Sequence, residues 1–389
     1  MQSKSVRQNP KSCNCGIFSV ESRRNVAQIP SQKTDRVRPN ASGGHNLPEL
    51  TTISRRSLLL SPILLAACKF GSKTVSASGA TMGTTYNVVA VDRTRTLDNA
   101  DLGHAIEASL QNVNAGMSNW DPRSEISRFN ASKSTDPVAV SPELAYVMNA
   151  AQDVHEASQG QFDVTVGPLI DLWGFGAGHT GTAVPTEEAI QTALNTSGQA
   201  KSLRINNNSL QKTQPDAEIY LSAIGKGFGV DQVASAIEAL GLRDYMVEIG
   251  GDLYASGLNP DGMPWQIGIE KPDNVRHDLA QVIGVSDMGM ASSGDYRNYF
   301  EQDGTRYSHV INPATGRPIT HTTAATTVLT DNAMLADAWA TAMLLLGREH
   351  GMEIAESRDL AVLFIERDVD STEMRFVAKP SSRYAQLQA

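Results

Sequence analysis

Cysteine is almost absent from this chain of 389 residues, and its three cysteines, Cys13, Cys15 and Cys68, all lie in the first 68 positions. The rest of the chain therefore cannot form a disulfide framework, use a catalytic thiol or bind zinc through cysteine. Long hydrophobic runs are also missing, because no apolar stretch approaches the roughly 18 residues that a membrane-spanning helix needs. These absences exclude a disulfide-stapled scaffold and a polytopic membrane protein.

Basic residues are scarce after position 67. Residues 1–67 carry ten Lys and Arg against three Asp and Glu, whereas residues 68–389 carry 23 against 39. An acidic body excludes a general nucleic-acid binder, which needs clustered cations for phosphate contacts. With 40% hydrophobic and 19% charged residues, the composition is typical of a globular protein. We expect a folded body without a nucleic-acid partner.

A basic pair and a short apolar stretch precede Cys68. Arg55-Arg56 leads into the uncharged, Leu-rich segment Ser57–Ala67, a pattern typical of a signal peptide that is too short to span a membrane. The segment ends in Leu65-Ala66-Ala67-Cys68, which resembles the bacterial lipobox, where the Cys becomes the lipidated first residue of the mature protein. The alternative is a buried N-terminal helix with an unrelated Cys. Residues 54–60 also resemble a twin-arginine export signal, although the usual Phe and Lys are missing.

The predicted organisation follows from these signals. We expect a disordered extension over 1–50, a signal peptide over 51–67, a lipidated Cys68 with a linker over 68–80, and one domain over 81–380. The linker prediction rests on the Ser, Gly and Ala residues of Ser72–Gly79. The predicted location is the periplasmic side of a bacterial membrane, with a lipid anchor at Cys68.

Hydrophobic periodicity predicts an α+β domain of mixed helices and mainly antiparallel sheets, because the strands are joined by short connections. Predicted helices are Asp101–Met117, Pro142–Ser158 after an N-cap at Ser141, Glu187–Leu194 after Thr186, a helix from Gly225 to Gly241, and Asn332–Leu346. Predicted strands are Thr84–Val91, Tyr245–Ile249, Trp265–Glu270, Leu279–Val285, Gly289–Ser293, Tyr296–Phe300, and a closing hairpin of Leu360–Glu366 with Met374–Val377.

A glycine-rich segment, Leu221–Gly229, opens the predicted helix at Gly225. Glycines let backbone N–H groups approach an anion, and the N-terminus of a helix favours negative charge. Lys226 adds a cation there, although the spacing is not that of a Walker loop. The alternative is a glycine-rich turn with a purely structural role.

Asp337 and Thr341 lie four residues apart on the predicted C-terminal helix. This spacing places a carboxylate and a hydroxyl on one face of an otherwise apolar helix. Hard cations such as Mg²⁺ bind a few protein oxygens and keep substrate phosphate in their shell. The alternative is a capping or buried hydrogen-bonded pair.

His309 precedes a tight turn that Asn312-Pro313 and Thr315-Gly316 bracket. A histidine held in a fixed place is the usual general base near neutral pH. The alternative is a structural histidine.

A strand end with two glycines and flanking carboxylates forms the fourth motif, Glu248-Ile249-Gly250-Gly251-Asp252. The alternative is a plain hairpin turn.

Together and in this order, these motifs resemble the ApbE family of FAD:protein FMN transferases, over about residues 80–377. Further matching segments are Met82–Tyr86, Ser118–Pro122, Gly160–Leu169 and Leu172–Gly176. The resemblance implies an ApbE-like, T-fold-like domain. It also implies an enzyme that cleaves FAD, passes FMN to a Ser or Thr hydroxyl of a target protein, and releases AMP.

The resemblance also implies roles for individual residues. Mg²⁺ would bind Asp337, Thr341 and the backbone carbonyl of Ala223. The candidate catalytic residues are His309, as the base that takes the proton of the acceptor hydroxyl, and Lys226. The candidate FAD-binding residues are Met82, Trp120, Gln161, Phe162, Asp163, Tyr220, Lys226, Glu248, Gly250, Gly251, Asp252, His309 and Ile311. The implied acceptors are flavoprotein subunits of electron-transfer complexes at the membrane.

Two departures from the family pattern keep a second function open. Tyr220 stands where the family usually has Asp, and Met334 stands where some members have another Asp. A neutral phenol cannot replace a carboxylate as a partner for a metal or an amine. The alternative function is therefore a lipoprotein that binds or hydrolyses FAD without transferring FMN.

Overall fold

The computed structural model describes residues 72–176, 183–273, 278–371 and 375–388. Its strands, in chain order, are β1 (Lys73–Thr81), β2 (Thr84–Asp92), β3 (Val138–Ala139), β4 (Leu203–Asn206), β5 (Ser209–Lys212), β6 (Tyr245–Ile249), β7 (Asp252–Ser256), β8 (Trp265–Glu270), β9 (Leu279–Val285), β10 (Met288–Gly294), β11 (Tyr299–Gln302), β12 (Thr305–Ser308), β13 (Ile311–Asn312), β14 (Arg317–Pro318), β15 (Thr323–Thr330), β16 (Ala361–Arg367) and β17 (Phe376–Pro380). Its helices are α1 (Asn99–Met117), α2 (Glu125–Ala131), α3 (Pro142–Ala157), α4 (Gly167–Leu172), α5 (Glu187–Thr196), α6 (Gln199–Ser202), α7 (Gly225–Ala239), α8 (Ala333–Ser357) and α9 (Ser382–Leu387).

The largest sheet contains eight strands in the order β1-β2-β6-β7-β10-β15-β16-β17, and each neighbouring pair is antiparallel. Its strands are rich in β-branched and small residues whose side chains alternate between two buried faces. The α+β class with mainly antiparallel sheet is therefore confirmed. None of the helices among the described residues is long and apolar enough to cross a bilayer.

Helices cover one face of this sheet. Strands β1, β2 and β6 bury Val75, Val88 and Val247 against α1 and α7, while α8 packs along β10, β15 and β16. On the opposite face, the β8–β9 hairpin and α9 cover Met246, Leu253 and neighbouring apolar residues. The candidate site residues of α7 and α8 consequently lie on the helical face of the sheet.

Many of the predicted elements are confirmed. Strands β6, β8 and β9 have the predicted bounds, and the hydroxyls of Ser141 and Thr186 accept from backbone N–H groups at the starts of α3 and α5. The predicted helix Asn332–Leu346 forms the first part of α8. Gly347 interrupts that helix with φ 71° and ψ 171°, and a Cβ at this position would lie 3.0 Å from the ring of His321.

Two local predictions were wrong. Ser72–Gly79 is not a linker, because β1 pairs with β2 along its whole length and buries Val75 completely. An edge strand can be polar and small, since its partner strand supplies the hydrogen bonds. The strand predicted over Tyr296–Phe300 instead begins at Tyr299 and pairs with β12.

The extension over 1–50, the signal peptide over 51–67 and the lipidated Cys68 lie outside the described residues and stay predictions. The described fold also continues beyond the predicted end of the domain at residue 380, because α9 packs on β16 and buries Tyr384.

Candidate active site

Helices α7 and α8 cross closely at Gly227. A Cβ on this glycine would lie 2.2 Å from the carbonyl oxygen of Ala333 and 2.7 Å from Cα of Met334, both backbone atoms of α8. The missing side chain brings the Gly227 N–H within 3.1 Å of Asp337 Oδ2, to which it donates. The Gly227 N–H thus binds a carboxylate of the chain itself, and the binding of a ligand anion at this glycine-rich segment stays a prediction.

Asp231 adds a second tie between the same two helices. Its carboxylate accepts from the N–H groups of Ala333 and Met334, at 2.8 and 2.9 Å, and so caps the start of α8. Burial raises the pKa of Asp231 to about 6. No local sequence signal marks Asp231, because its partners lie about a hundred positions later in the chain.

Lys226 connects two buried carboxylates. Its Nζ lies 2.7 Å from Asp252 Oδ2 and donates to both oxygens of Asp337, at 3.1 and 3.2 Å. Asp252 and Asp337 are each only 2% exposed. Burial and the neighbouring Asp337 carboxylate raise the pKa of Asp252 despite the ammonium. Lys226 therefore shares its single positive charge between two buried carboxylates.

The residues that would hold Mg²⁺ all supply oxygen ligands, which suit a hard cation. Asp337 and Thr341 lie one turn apart on α8, and Ala223 lies just before α7. The Thr341 hydroxyl lies 3.2 Å from the hydroxyl of Ser293 on β10. Among the described residues, no group of three or more His, Cys, Asp or Glu side chains could hold a metal ion, so an ion here would also need hydroxyl, carbonyl and substrate oxygens.

His309 follows β12 and is oriented by one backbone carbonyl. Both its N–H and its Nδ1 donate to the oxygen of Asn298, at 3.0 and 3.1 Å. Because a carbonyl oxygen only accepts, Nδ1 carries the hydrogen and Nε2 keeps its lone pair. The ring also contacts Phe175 edge-on, at 6.3 Å between centroids. Burial lowers the pKa of His309 below its ordinary value, which favours the neutral, basic form.

The turn after His309 is connected to the Gly160–Leu169 segment. Asn312 Nδ2 donates to Gln161 Oε1 at 3.0 Å, and Ile311 beside it is buried against Leu169 and Trp173. The structure thus brings together Gln161 and Ile311, two candidate FAD-binding residues that are 150 positions apart in the sequence.

Phe162 and Asp163 have structural contacts instead of exposed side chains. Phe162 is 1% exposed, and its carbonyl accepts from His155 Nδ1 at 2.7 Å. Asp163 accepts from the N–H groups of Thr165 and Gln199. These two residues shape the loop, and a ligand contact from Phe162 would have to come from its backbone.

Met82, Trp120 and Tyr220 differ in their surroundings. Met82 has a φ of 50° and packs its side chain beside Gly229 of α7. Trp120 is 68% exposed, so its indole is open to a flat ligand. The Tyr220 hydroxyl donates to Asp171 Oδ2 at 3.3 Å, and burial raises the pKa of this phenol.

Glu248 and Asp252, the two carboxylates of the fourth motif, have different surroundings. Glu248 accepts from Asn87 Nδ2 and from the N–H of Gly251, at 2.9 and 2.6 Å, and burial raises its pKa. Gly250 and Gly251 make the β6–β7 turn with φ of 59° and 98°. Asp252 follows Glu248 by four residues, on the other side of this turn. Its carboxylate joins Lys226 on the helical face of the sheet. Glu248 supports the turn.

Comparison with known proteins identifies the family of this chain. The profile of the ApbE family matches residues 82–364. An FAD:protein FMN transferase of Vibrio cholerae is 43% identical over 312 residues, which cover 80% of this chain and 93% of that protein. An FAD:protein FMN transferase of Escherichia coli K12 is 36% identical, with coverage of 75% and 84%.

Solved structures show the same similarity in the fold. The flavin transferase ApbE of Vibrio cholerae superposes with a TM-score of 0.75 at 41% identity, covering 81% of this chain and 99% of that one. The ApbE protein of Thermotoga maritima has a TM-score of 0.71 at 25% identity, with coverage of 82% and 100%. The chain described here is a member of the ApbE family.

Proposed function

We propose that this protein transfers FMN from FAD to a Ser or Thr hydroxyl of an acceptor flavoprotein and releases AMP. The observation that carries the proposal is the cluster of Lys226, Asp252 and Asp337, assembled from three elements in a member of a family whose relatives are named FAD:protein FMN transferases. Such a transfer needs positioned oxygens, offset negative charge and an aligned nucleophile.

In this reaction the acceptor hydroxyl gives its proton to Nε2 of His309. The oxygen of the acceptor hydroxyl forms a bond to the phosphorus of the FMN half, while the bond from that phosphorus to the bridging oxygen of the diphosphate breaks. The electron pair of the broken bond leaves with AMP, and the acceptor keeps FMN through a phosphoester. Neutral His309 suits this role, because its Nδ1 hydrogen is held by Asn298 and its pKa is lowered by burial.

In this proposal, the cluster of Lys226, Asp252 and Asp337 lies beside the diphosphate of FAD. Asp337, Thr341 and the carbonyl of Ala223 would hold Mg²⁺, which when bound would supply positive charge to offset the charge on the leaving AMP. Lys226 lies beside this site and can donate to phosphate oxygens. The exposed indole of Trp120 and the linked pair of Gln161 and Asn312 are available to hold the flat and polar parts of FAD.

Incubation with FAD, Mg²⁺ and a candidate acceptor tests the proposal. Transfer predicts in-gel flavin fluorescence on the acceptor that survives denaturation, together with one AMP per labelled acceptor. AMP and free FMN without labelling would show FAD hydrolysis, and intact FAD would show binding alone. Either of these results would contradict FMN transfer and support the function left open by Tyr220.

We also propose that the protein works as a lipoprotein on the periplasmic side of a bacterial membrane, anchored through Cys68, with flavoprotein subunits of membrane electron-transfer complexes as acceptors. The lipobox-like sequence before Cys68 supports the anchor. Membrane fractionation of the protein and of its Cys68→Ala variant tests it. Equal membrane association of both forms would contradict a lipid anchor at this cysteine.

A further inference from the structure

An ion pair between Asp295 and Arg367 follows strand β10. Asp295 is 7% exposed, and both of its carboxylate oxygens accept from the guanidinium of Arg367 at the end of β16, at 2.9 and 2.5 Å. The N–H of Asp295 donates to the carbonyl of Ala324, and its carbonyl accepts from Arg306 Nη2 at 2.9 Å. Side chain and backbone of Asp295 are thus fixed to three different strands or loops.

Asp295 begins a four-residue segment that ends at Asn298. The carbonyl of Asn298 is the oxygen that accepts from both the N–H and Nδ1 of His309. Between the two ends, Arg297 pairs with Glu270 at 2.5 Å. The segment 295–298 is therefore held at its start by Arg367, in its middle by Glu270, and at its end it sets the orientation of His309.

The position of the Asn298 carbonyl decides which nitrogen of His309 is basic. The hydrogen bond of 3.1 Å from Nδ1 to the Asn298 carbonyl stabilises the tautomer with a free Nε2. Displacement of this carbonyl would weaken the hydrogen bond from Nδ1. The Nδ1–H tautomer would then lose its preference, and the imidazole ring would be freer to turn. Arg306 contacts both sides of this segment. It donates to the Asp295 carbonyl and also stacks on Tyr299, the residue after Asn298, at 3.8 Å from the ring centroid.

We propose that the Asp295–Arg367 pair is a positioning device for His309, acting through the segment 295–298. This inference rests on the proposed function, in which His309 is the base. Asp295 and Arg367 do not themselves meet the reacting atoms in this proposal. Their contribution is to hold the Asn298 oxygen, and hence the Nδ1–H tautomer, in place while FMN is transferred.

The chain offers a matched control one residue before Arg367. Glu366 also lies at the end of β16, and its carboxylate pairs with Arg348 at 2.6 Å. The Glu366 side chain alone is 17% exposed, and the Asp295 side chain alone is 10% exposed. Loss of either pair removes one ionic contact from the same strand. The Glu366 carboxylate pairs with Arg348 on α8 and not with segment 295–298, so its loss should leave His309 undisturbed.

The experiment compares Asp295→Asn, Arg367→Lys and Glu366→Gln for kcat of FMN transfer, for the FAD dissociation constant and for the thermal midpoint. We expect Asp295→Asn to lower kcat by about 10- to 100-fold, as loss of an orienting partner typically does, with FAD affinity and thermal midpoint close to those of Glu366→Gln. Arg367→Lys, which keeps the charge and loses the two-point contact, should lower kcat by a smaller factor.

A kcat for Asp295→Asn equal to that of Glu366→Gln would overturn the inference. So would an equal loss of kcat and FAD affinity in Asp295→Asn, because that pattern indicates general damage to the site. If Asp295→Asn does not fold, full activity of folded Arg367→Lys overturns the inference instead. Failure of the wild-type protein to label any acceptor contradicts the proposed function, which is a separate outcome.

Discussion

Lys226 lies 111 positions before Asp337 in the sequence, and its Nζ donates to both carboxylate oxygens of that residue, at 3.1 and 3.2 Å. The same nitrogen lies 2.7 Å from Asp252. The ammonium thus sits against the carboxylate that we propose as a ligand of Mg²⁺. A metal ion that binds Asp337 has to compete with this ammonium, and Asp252 then remains as the partner that keeps Lys226 close to the diphosphate.

Replacement of Lys226 by Met should make protein stability depend on Mg²⁺. Two buried carboxylates would lose their cation, which typically costs about 3–5 kcal/mol, and an added divalent ion would recover part of that loss. Thermal unfolding with and without Mg²⁺ measures the effect. Lys133→Met, which removes an exposed pair with Asp216, is the control, and an equal response to Mg²⁺ in both variants would contradict the prediction.

Asp337→Ala should abolish AMP release while the protein stays folded. The reaction loses the carboxylate proposed to hold the metal, whereas Lys226 keeps its pairing with Asp252. AMP measured by chromatography after incubation with FAD, Mg²⁺ and acceptor, together with a thermal unfolding curve, tests both parts. Asp153→Ala on the exposed side of α3 should behave like the wild type. Unchanged turnover of Asp337→Ala would refute the metal assignment.

The pH dependence of transfer should report the protonation of His309. Burial lowers its pKa from the ordinary 6.5, so the imidazole stays neutral at pH 6.5 and activity falls only as the pH drops further below that value. His309→Asn should lower kcat about 10²- to 10⁴-fold and remove this acidic limb. His104→Asn, on the exposed side of α1, is the control. If the fall in activity at acidic pH persists in His309→Asn, another group causes it.

The crossing of α7 and α8 predicts opposite effects for two Gly→Ala changes. In Gly227→Ala, the new Cβ would meet the carbonyl oxygen of Ala333 at 2.2 Å, and such overpacking typically costs about 1–3 kcal/mol. In Gly103→Ala on α1, nothing lies within 4 Å of the new Cβ, so the helix should gain about 0.4–1 kcal/mol. Urea unfolding of both variants measures these changes, and loss of stability in both would be at odds with the packing described.

Sequence patterns were sufficient for elements with a strong period and a local signal. The N-cap at Ser141 needs only one hydroxyl three residues before a free N–H, and strand β6 is apolar along most of its length. Strand β1 escaped because only Val75 is buried completely among small polar residues. Its pairing is specified by β2, and a linker has the same composition.

For the candidate site, the sequence indicates which residues could carry the chemistry, but it does not indicate their contacts. Lys226, Asp337 and His309 were singled out from local motifs, but no local signal could show that Lys226 binds carboxylates contributed by α8 and β7. Phe162 stands in a matching motif and nevertheless packs in the core. Asn298 and Asp295 act through backbone and long-range contacts, so their residue types alone gave no indication.

Helix α7 reaches α8 in two places one turn apart, through Gly227 to Asp337 and through Asp231 to the first amides of α8. These contacts oppose separation of the two helices, because parting them would break three hydrogen bonds and expose the buried carboxylate of Asp337. Turnover should therefore proceed without breathing motions at this crossing.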